Sequence, residues 1–121
     1  MKKNDFIKCF NVSRETLNSF CEYEALLSKW NEKINLVSPN TLVDLWERHF
    51  LDSGQIINHV IASGKKWIDI GAGAGFPGLV VALLLRDRKI DCDMVLVEKN
   101  TKKVFFLNEV IRKLSLNVKV V

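Results

Sequence analysis

The spacing of apolar side chains divides the chain into two parts. In the first part, apolar residues recur every three or four positions, as in amphipathic helices. In the second part, short apolar runs alternate with helical patterns. The two patterns meet near Ala62-Ser63-Gly64. We therefore expect a helical cap over residues 1–62 and an α/β segment over residues 63–121.

The first part predicts helices from its apolar stripes and two capping serines. Ser13 suits the cap of a first helix, and Ser38 suits the cap of a second helix with Pro39 in its first turn. The stripe of the first helix comprises Leu17, Phe20, Leu27, Trp30 and Ile34. The second pattern comprises Leu42, Leu45, Trp46, His49 and Phe50. Gly54 is expected to interrupt it before a short helix that reaches Val60.

The second part predicts alternating strands and helices. Short apolar runs at residues 67–70, 94–97 and 116–121 are typical of buried strands. Residues 79–85 are apolar on every side and predict a covered helix. Another helix, capped by Thr101 or Asn100, would bury an apolar face comprising Val104, Leu107, Ile111 and Leu114. This order gives two βαβ units and hence a parallel sheet with right-handed crossovers.

The stretch DIGAGAGFPG, residues 69–78, directly follows the first predicted strand. Glycines weaken regular elements but allow sharp turns and close approach of a ligand to the backbone. In open α/β sheets, ligands bind at the carboxyl ends of the strands, near the N-terminus of the following helix. The sequence therefore predicts a ligand site here; a tight turn without a ligand is the structural alternative.

Two acidic residues bear on the identity of this ligand. Residues 73–78 match the GxGxxG fingerprint, and Glu98 lies 20 residues beyond Gly78, where it can bind ribose hydroxyls. Both features suit NAD and S-adenosylmethionine equally. Asp69 completes the pattern D-x-G-x-G-x-G, in which its carboxylate suits a methionine ammonium group and would repel a pyrophosphate. Alternatively, Asp69 only caps N–H groups of the loop.

Composition limits the other classes of function. The chain has 121 residues, of which 48% are hydrophobic and 26% charged, as in globular domains. Its longest apolar run, residues 79–85, is too short to span a bilayer, so we expect a cytoplasmic protein without membrane contact. Three cysteines form no CxxC pair, which indicates neither a metal site nor a disulfide framework. The net charge of +4 permits a polyanionic partner.

Four segments of the sequence together resemble one enzyme family. They are DIGAGAGFPG, VLVEKNTKKVFFLNEV, WNEKINLVS and ERHFLDS. In these segments the chain is similar to the bacterial small-subunit rRNA guanine-N7 methyltransferases, called RsmG or GidB, from about Trp30 to Val121. The resemblance implies the Rossmann-like fold of class I S-adenosylmethionine-dependent methyltransferases and, as substrate, a guanosine of 16S rRNA in the small ribosomal subunit or an assembly intermediate.

The resemblance also implies roles for particular residues. The S-adenosylmethionine site would comprise Gly71, Gly73, Gly75, Phe76 and Glu98, to which the position of Asp69 before the glycines adds a sixth residue. Arg48, His49 and Asp52 would belong to the helical cap beside the cofactor pocket. Lys102 and Lys103, at the start of a helix beside the cofactor edge, are our candidates for RNA contacts, together with Arg48. Guanine N7 carries a free lone pair, so we expect no catalytic acid, base or metal.

The family continues with a fourth strand beside the first, whereas this sequence ends at the third strand. We therefore expect a truncated sheet of three parallel strands, with the first strand left as an open edge. An inactive cofactor-binding or interaction fragment of such a methyltransferase is one alternative. A NAD-dependent oxidoreductase is another, although the sequence has no Tyr-x-x-x-Lys constellation and Tyr23 is its one tyrosine.

Overall fold

A computed structural model describes residues 2–59 and 65–121 of the chain. The helices are α1 (Lys2–Phe10), α2 (Arg14–Asn31), α3 (Pro39–Val43), α4 (Asp52–Gly54), α5 (Gly78–Asp87) and α6 (Thr101–Lys113). A π-helical segment (Trp46–Leu51) precedes α4, and a 3-10 helix (Gln55–His59) follows it. The strands are β1 (Lys65–Ile70), β2 (Cys92–Val97) and β3 (Val118–Val120). The predicted boundary between residues 62 and 63 and the predicted helix end at Val60 lie outside the described residues.

Within the described residues, the strands form one parallel sheet in the order β1-β2-β3. Ile70 pairs with Val97, so β1 and β2 end at the same level, and Met94 pairs with Val118. The predicted α/β fold with three parallel strands is therefore confirmed. Strand β1 lies at an edge of this sheet, as expected.

The helices cover one face of the sheet. Met94 and Leu96 of β2 are buried, and α5 and α6 contact β2 and β3 respectively. On the opposite face, the side chains of Ile68 and Ile70 are 56% and 81% exposed. The hydrophobic core therefore lies between the sheet and the helices, where α2 packs against both α5 and α6.

Helix α1 was not among the predicted elements. Phe6 is fully buried, and the centroid of its ring lies 4.8 Å from that of Phe20 and 5.4 Å from that of Trp46. Phe10 lies against Gly54, where a Cβ atom would come within 2.7 Å of the Phe10 ring. Gly54 therefore provides room for Phe10. The helical pattern that was expected to be interrupted at Gly54 changes there from α-helix to 3-10 helix.

Asparagine and serine side chains set the limits of α2. Ser13 caps the helix as predicted, accepting a hydrogen bond from the Thr16 N–H at 3.2 Å. The predicted extension to Ile34 is wrong, because Asn31 Oδ1 accepts hydrogen bonds from the N–H groups of Leu36, at 2.8 Å, and Val37, at 3.1 Å. These bonds turn the chain at the end of the helix.

Candidate functional site

The glycine loop, residues 71–77, joins the carboxyl end of β1 to the start of α5. The N–H groups of Gly71 and Ala72 donate to the Val97 carbonyl at 2.8 and 3.1 Å, so the loop folds over the end of β2. Gly71, Gly73 and Gly75 have φ angles of 74°, 55° and 100°, in the left-handed region that favours glycine. The loop therefore lies at the sheet edge at which the sequence predicts a ligand site.

The glycines of this stretch are of two kinds. A Cβ atom at Gly71 would meet nothing within 4 Å, and one at Gly73 would meet only the Gly71 carbonyl oxygen, at 3.9 Å. A Cβ atom at Gly75 would overlap the Tyr23 hydroxyl, and one at Gly78 would overlap Leu96. The first two thus leave bare backbone open to a ligand, whereas the other two allow close packing against the core.

Asp69 lies beneath the loop. Its side chain is buried, and its Oδ2 atom accepts a hydrogen bond at 3.0 Å from the N–H of Gly78, the first residue of α5. Burial raises the pKa of Asp69 from its usual value, the Gly78 N–H opposes this rise, and the charge of Glu98 adds to it. Asp69 therefore caps an N–H group at the start of α5, as the structural alternative predicts.

Glu98 joins the end of β2 to the loop. Its Oε1 atom accepts a hydrogen bond from the Gly73 N–H at 2.8 Å, and its Oε2 atom accepts one from the Asn100 N–H at 3.0 Å. The Asn100 N–H in particular holds the pKa of Glu98 below its usual value, and the Gly73 N–H and the Lys103 charge contribute to this shift. Because a carboxylate offers about four acceptor sites, these two bonds leave capacity for a ligand.

Tyr23 of α2 anchors the loop from the side of the N-terminal helices. It is fully buried, and its hydroxyl donates to the Ala74 carbonyl at 2.5 Å. Burial, followed by the charge of Asp69, holds the pKa of Tyr23 well above its ordinary value, so the hydroxyl keeps its proton. Sequence reasoning missed this residue, although its spacing of three from Phe20 and four from Leu27 places it on the same helical stripe.

We expect Tyr23→Phe to lower the free energy of unfolding by about 1–2 kcal/mol, because it leaves the Ala74 carbonyl without its buried donor. The ring of the variant still fills its site against Phe50 and Phe76. Urea denaturation followed by circular dichroism measures the change. Tyr23→Leu should cost more, since it also removes ring contacts; equal stability of wild type and Tyr23→Phe would show that the hydroxyl does not anchor the loop.

The Phe76 ring stacks with two other aromatic side chains. The His49 ring stacks on it, with centroids 4.5 Å apart and planes 10° apart, and the Tyr23 ring stacks at 5.8 Å. Burial lowers the pKa of His49 from its usual value, Asp52 opposes this effect, and Arg48 adds to it. His49 is therefore neutral at pH 7 and packs against the loop.

The predicted RNA-contacting residues lie on two different elements. Arg48, in the π-helical segment, forms an ion pair with Asp44 at 3.6 Å, and 60% of its side-chain surface is exposed. Lys102 is exposed in the first turn of α6. The cap of this helix is Asn100, which is one of the two predicted caps. Lys103 is half-buried, and its charge acts on Glu98. The structure thus brings Lys103 to the loop region, whereas Arg48 is paired with Asp44.

Three other expectations concern metals, disulfides and membranes. Across the described ranges, no group of three or more histidine, cysteine or acidic side chains has an arrangement that could hold a metal ion. Cys9, Cys21 and Cys92 are free thiols. None of the helices within residues 2–59 and 65–121 is long and apolar enough to cross a membrane.

A parallel sheet with a glycine loop after its first strand and an acidic residue at the end of its second is typical of Rossmann-like α/β proteins. Within this class, the chain belongs to the rRNA small subunit methyltransferase G family, GidB, whose sequence profile matches residues 16–121. The resemblance found in the sequence is thereby confirmed.

Individual relatives agree with this assignment. Over 102 residues, the chain is 54% identical to the ribosomal RNA small subunit methyltransferase G of Parvibaculum lavamentivorans. The matched region covers 84% of this chain and 45% of the relative. The protein of the same name from Rhodospirillum centenum is 47% identical, covering 92% of this chain and 49% of the relative. The protein of the same name from Cereibacter sphaeroides is 38% identical, and the match covers 99% of this chain and 58% of the relative. The chain thus spans about half the length of the curated relatives it matches.

Proposed function

We propose that the protein binds S-adenosylmethionine at the glycine loop and serves the N7-methylation of a guanosine in 16S rRNA of the small ribosomal subunit. The observation that carries this proposal is the open backbone at Gly71 and Gly73 beside the Glu98 carboxylate. Membership of the rRNA small subunit methyltransferase G family supports the same reaction. We further propose that the protein acts in the cytoplasm.

The residues of the loop fit a nucleoside cofactor. Glu98 would accept hydrogen bonds from the ribose hydroxyls, because its carboxylate is ionised and keeps acceptor capacity beyond its two backbone bonds. Gly71 and Gly73 would let the nucleoside approach the backbone without meeting a Cβ atom. Asp69, Gly75 and Phe76 complete the proposed site by holding the conformation of the loop through their contacts with Gly78, Tyr23 and His49.

The proposed methyl transfer depends mainly on the relative positions of the two reactants. S-adenosylmethionine supplies an activated methyl group, and guanine N7 offers a free lone pair, so no protein base has to remove a proton. Alignment of two reactants can supply roughly 7–11 kcal/mol of the barrier. We therefore assign the loop and Glu98 to cofactor orientation, and propose that Lys102, Lys103 and Arg48 contact RNA phosphates. We name no catalytic acid or base.

Isothermal titration tests the cofactor. We expect the 121-residue chain to bind S-adenosylmethionine and not NAD; preferential NAD binding would contradict the proposal and favour the oxidoreductase alternative. Transfer of a labelled methyl group to small subunits that lack the modification tests the reaction. Methyl transfer by this chain would exclude the inactive-fragment alternative, whereas cofactor binding without transfer would favour it.

Asp69→Asn separates capping from ligand binding. The amide oxygen can still accept the Gly78 hydrogen bond, but the negative charge is lost. We propose that the carboxylate also contacts the methionine ammonium group, so that its loss lowers the affinity for S-adenosylmethionine by about tenfold or more, since hydrogen bonds to charged groups contribute about 1.5–3 kcal/mol. Titration calorimetry measures this. An unchanged affinity would assign Asp69 to capping alone.

The stability of this variant provides the control. The pKa of Asp69 is raised in the folded state, so the native protein binds the proton more tightly than the unfolded chain. Stability from this group is therefore greatest at low pH and is lost as pH rises from about 3.9 through the raised folded-state pKa. Asp69→Asn should lack this loss and match or exceed the wild type in thermal stability at neutral pH. A clear loss of stability would show that the charge itself is needed for folding.

A further inference from the structure

A surface groove lies between α2 and α6, outside the glycine loop. It has a volume of about 290 Å³ and is lined by Trp30, Phe105, Asn108, Glu109 and Arg112. Phe105 is 64% exposed, whereas its neighbour Phe106 is fully buried. The methyltransfer chemistry proposed above gives no role to an aromatic ring held in water at this position.

Planar groups line the groove, and contacts with neighbouring side chains orient two of them. Trp30 is half-buried, and its ring meets that of Phe106 edge to face at 5.8 Å. The Arg112 Nε atom donates to Glu109 Oε1 at 2.9 Å, which holds the guanidinium along the helix. Asn108 is exposed and adds an amide that can donate and accept hydrogen bonds. Aromatic rings and guanidinium planes beside polar groups are the surroundings in which proteins bind unpaired RNA bases.

The charge of α6 favours a polyanion over an apolar peptide. The helix carries four basic residues, Lys102, Lys103, Arg112 and Lys113, and one acidic residue, Glu109. Lys102 and Phe105 are three positions apart and therefore lie on the same face of the helix. A strand whose base stacks on Phe105 would thus have a cation beside its phosphates.

We propose that this groove binds an unpaired base of RNA, with Phe105 as the stacking surface. The inference rests on the proposed function, because it adds a second contact for the same RNA substrate. Phe105 follows the cap residue Asn100 by five positions, which is about 7.5 Å along the helix axis. A base bound here would belong to the same RNA as the target guanosine, and its capture would help to hold that RNA beside the N-terminal end of α6.

The test compares a short single-stranded RNA with an abasic strand of the same length, which has equal phosphate charge. We expect the wild-type chain to prefer the base-bearing strand by roughly 5- to 160-fold, the range of measured base–aromatic stacking. Phe105→Ala should lose this preference, and Phe105→Trp should keep it. Val43→Ala is the matched control, since Val43 is 85% exposed on α3 and does not line the groove.

The salt dependence of binding separates stacking from charge. Phe105→Ala should leave the slope of log affinity against log salt concentration unchanged. Lys102→Ala should reduce that slope by about one, as expected for a lost phosphate contact. A changed slope in Phe105→Ala with no loss of base preference would contradict the stacking role.

Three results would overturn the inference: equal RNA affinity of wild type and Phe105→Ala, no preference of the wild type for bases, or no RNA binding at all. Sedimentation would identify the groove as an interface between copies if the wild type dimerises and Phe105→Ala does not. Titration of the same variants with S-adenosylmethionine distinguishes the two proposals. If the variants and the wild type bind S-adenosylmethionine normally but one of these results is found, only the proposed role of the groove is refuted. Failure of the wild type to bind the cofactor counts against the proposed function.

Discussion

Gly75→Ala is expected to lower the free energy of unfolding by about 3 kcal/mol or more, the combined effect of backbone strain and overpacking. Gly75 has a φ angle of 100°, which L-residues rarely adopt. An added Cβ atom would overlap the buried Tyr23 hydroxyl and lie 2.6 Å from Leu79 Cδ1. Neither neighbour can withdraw without losing a contact of the core. Thermal or urea denaturation measures the loss.

Gly71→Ala is the matched control for this substitution. Gly71 also has a left-handed conformation, with a φ angle of 74°, but an added Cβ atom would meet nothing within 4 Å. Strain alone should then lower the free energy of unfolding by roughly 1–2 kcal/mol. Equal losses in the two variants would show that Gly75 is not required by packing against Tyr23 and Leu79.

Glu98→Gln is expected to weaken binding of S-adenosylmethionine by about 10- to 100-fold, which corresponds to the contribution of hydrogen bonds to a charged group. The amide keeps the shape of the side chain but removes its charge. In the wild type, the two carboxylate oxygens accept hydrogen bonds from the N–H groups of Gly73 and Asn100. In the variant, the amide N–H₂ group faces one of these N–H groups, and that hydrogen bond is lost. The loop and the ribose contact are therefore weakened together. Titration calorimetry measures the affinity.

Two comparisons test the cause of this loss. Glu15→Gln, at an exposed glutamate in the first turn of α2, should bind the cofactor as the wild type does. The pH dependence should also differ. The pKa of Glu98 is lowered on folding, so its stabilising contribution is present above about pH 4.3 and is lost as pH falls through the folded-state pKa. The Gln variant should lack this loss; an identical acid profile would show that Glu98 is not held by the loop.

The elements around the site could be predicted because each has a local signal. The apolar run before Asp69 predicts β1, the following glycines exclude regular structure, and Asn100 is a local cap of α6. The spacing of strands and helices then gives the parallel sheet, because a helix between two strands returns the chain to the start of the sheet. The position of Glu98 at the end of β2 follows from the same pattern, without any knowledge of its partners.

The contacts that hold the loop could not be predicted in this way. Tyr23 reaches Ala74 across 51 positions, and Glu98 reaches Gly73 across 25 positions. Helix α1 shows the same limit, since the burial of Phe6 depends in part on the rings of Phe20 and Trp46, which lie in later elements. Such contacts depend on how α2 and the π-helical segment pack on the sheet, which the spacing of residues within one element does not specify.

Local periodicity and backbone chemistry thus determined the α/β order, the parallel sheet and the glycine loop at its edge, because those signals lie within a few residues of each other. The division of the glycines into two open and two packed positions depended on tertiary structure, as did the capping contact of Asp69. The division of the glycines depends on whether a distant side chain occupies the space beside a given Cα atom, and the Asp69 contact depends on where the loop places the Gly78 N–H. Only the packing of the whole chain determines which side chains lie beside the loop.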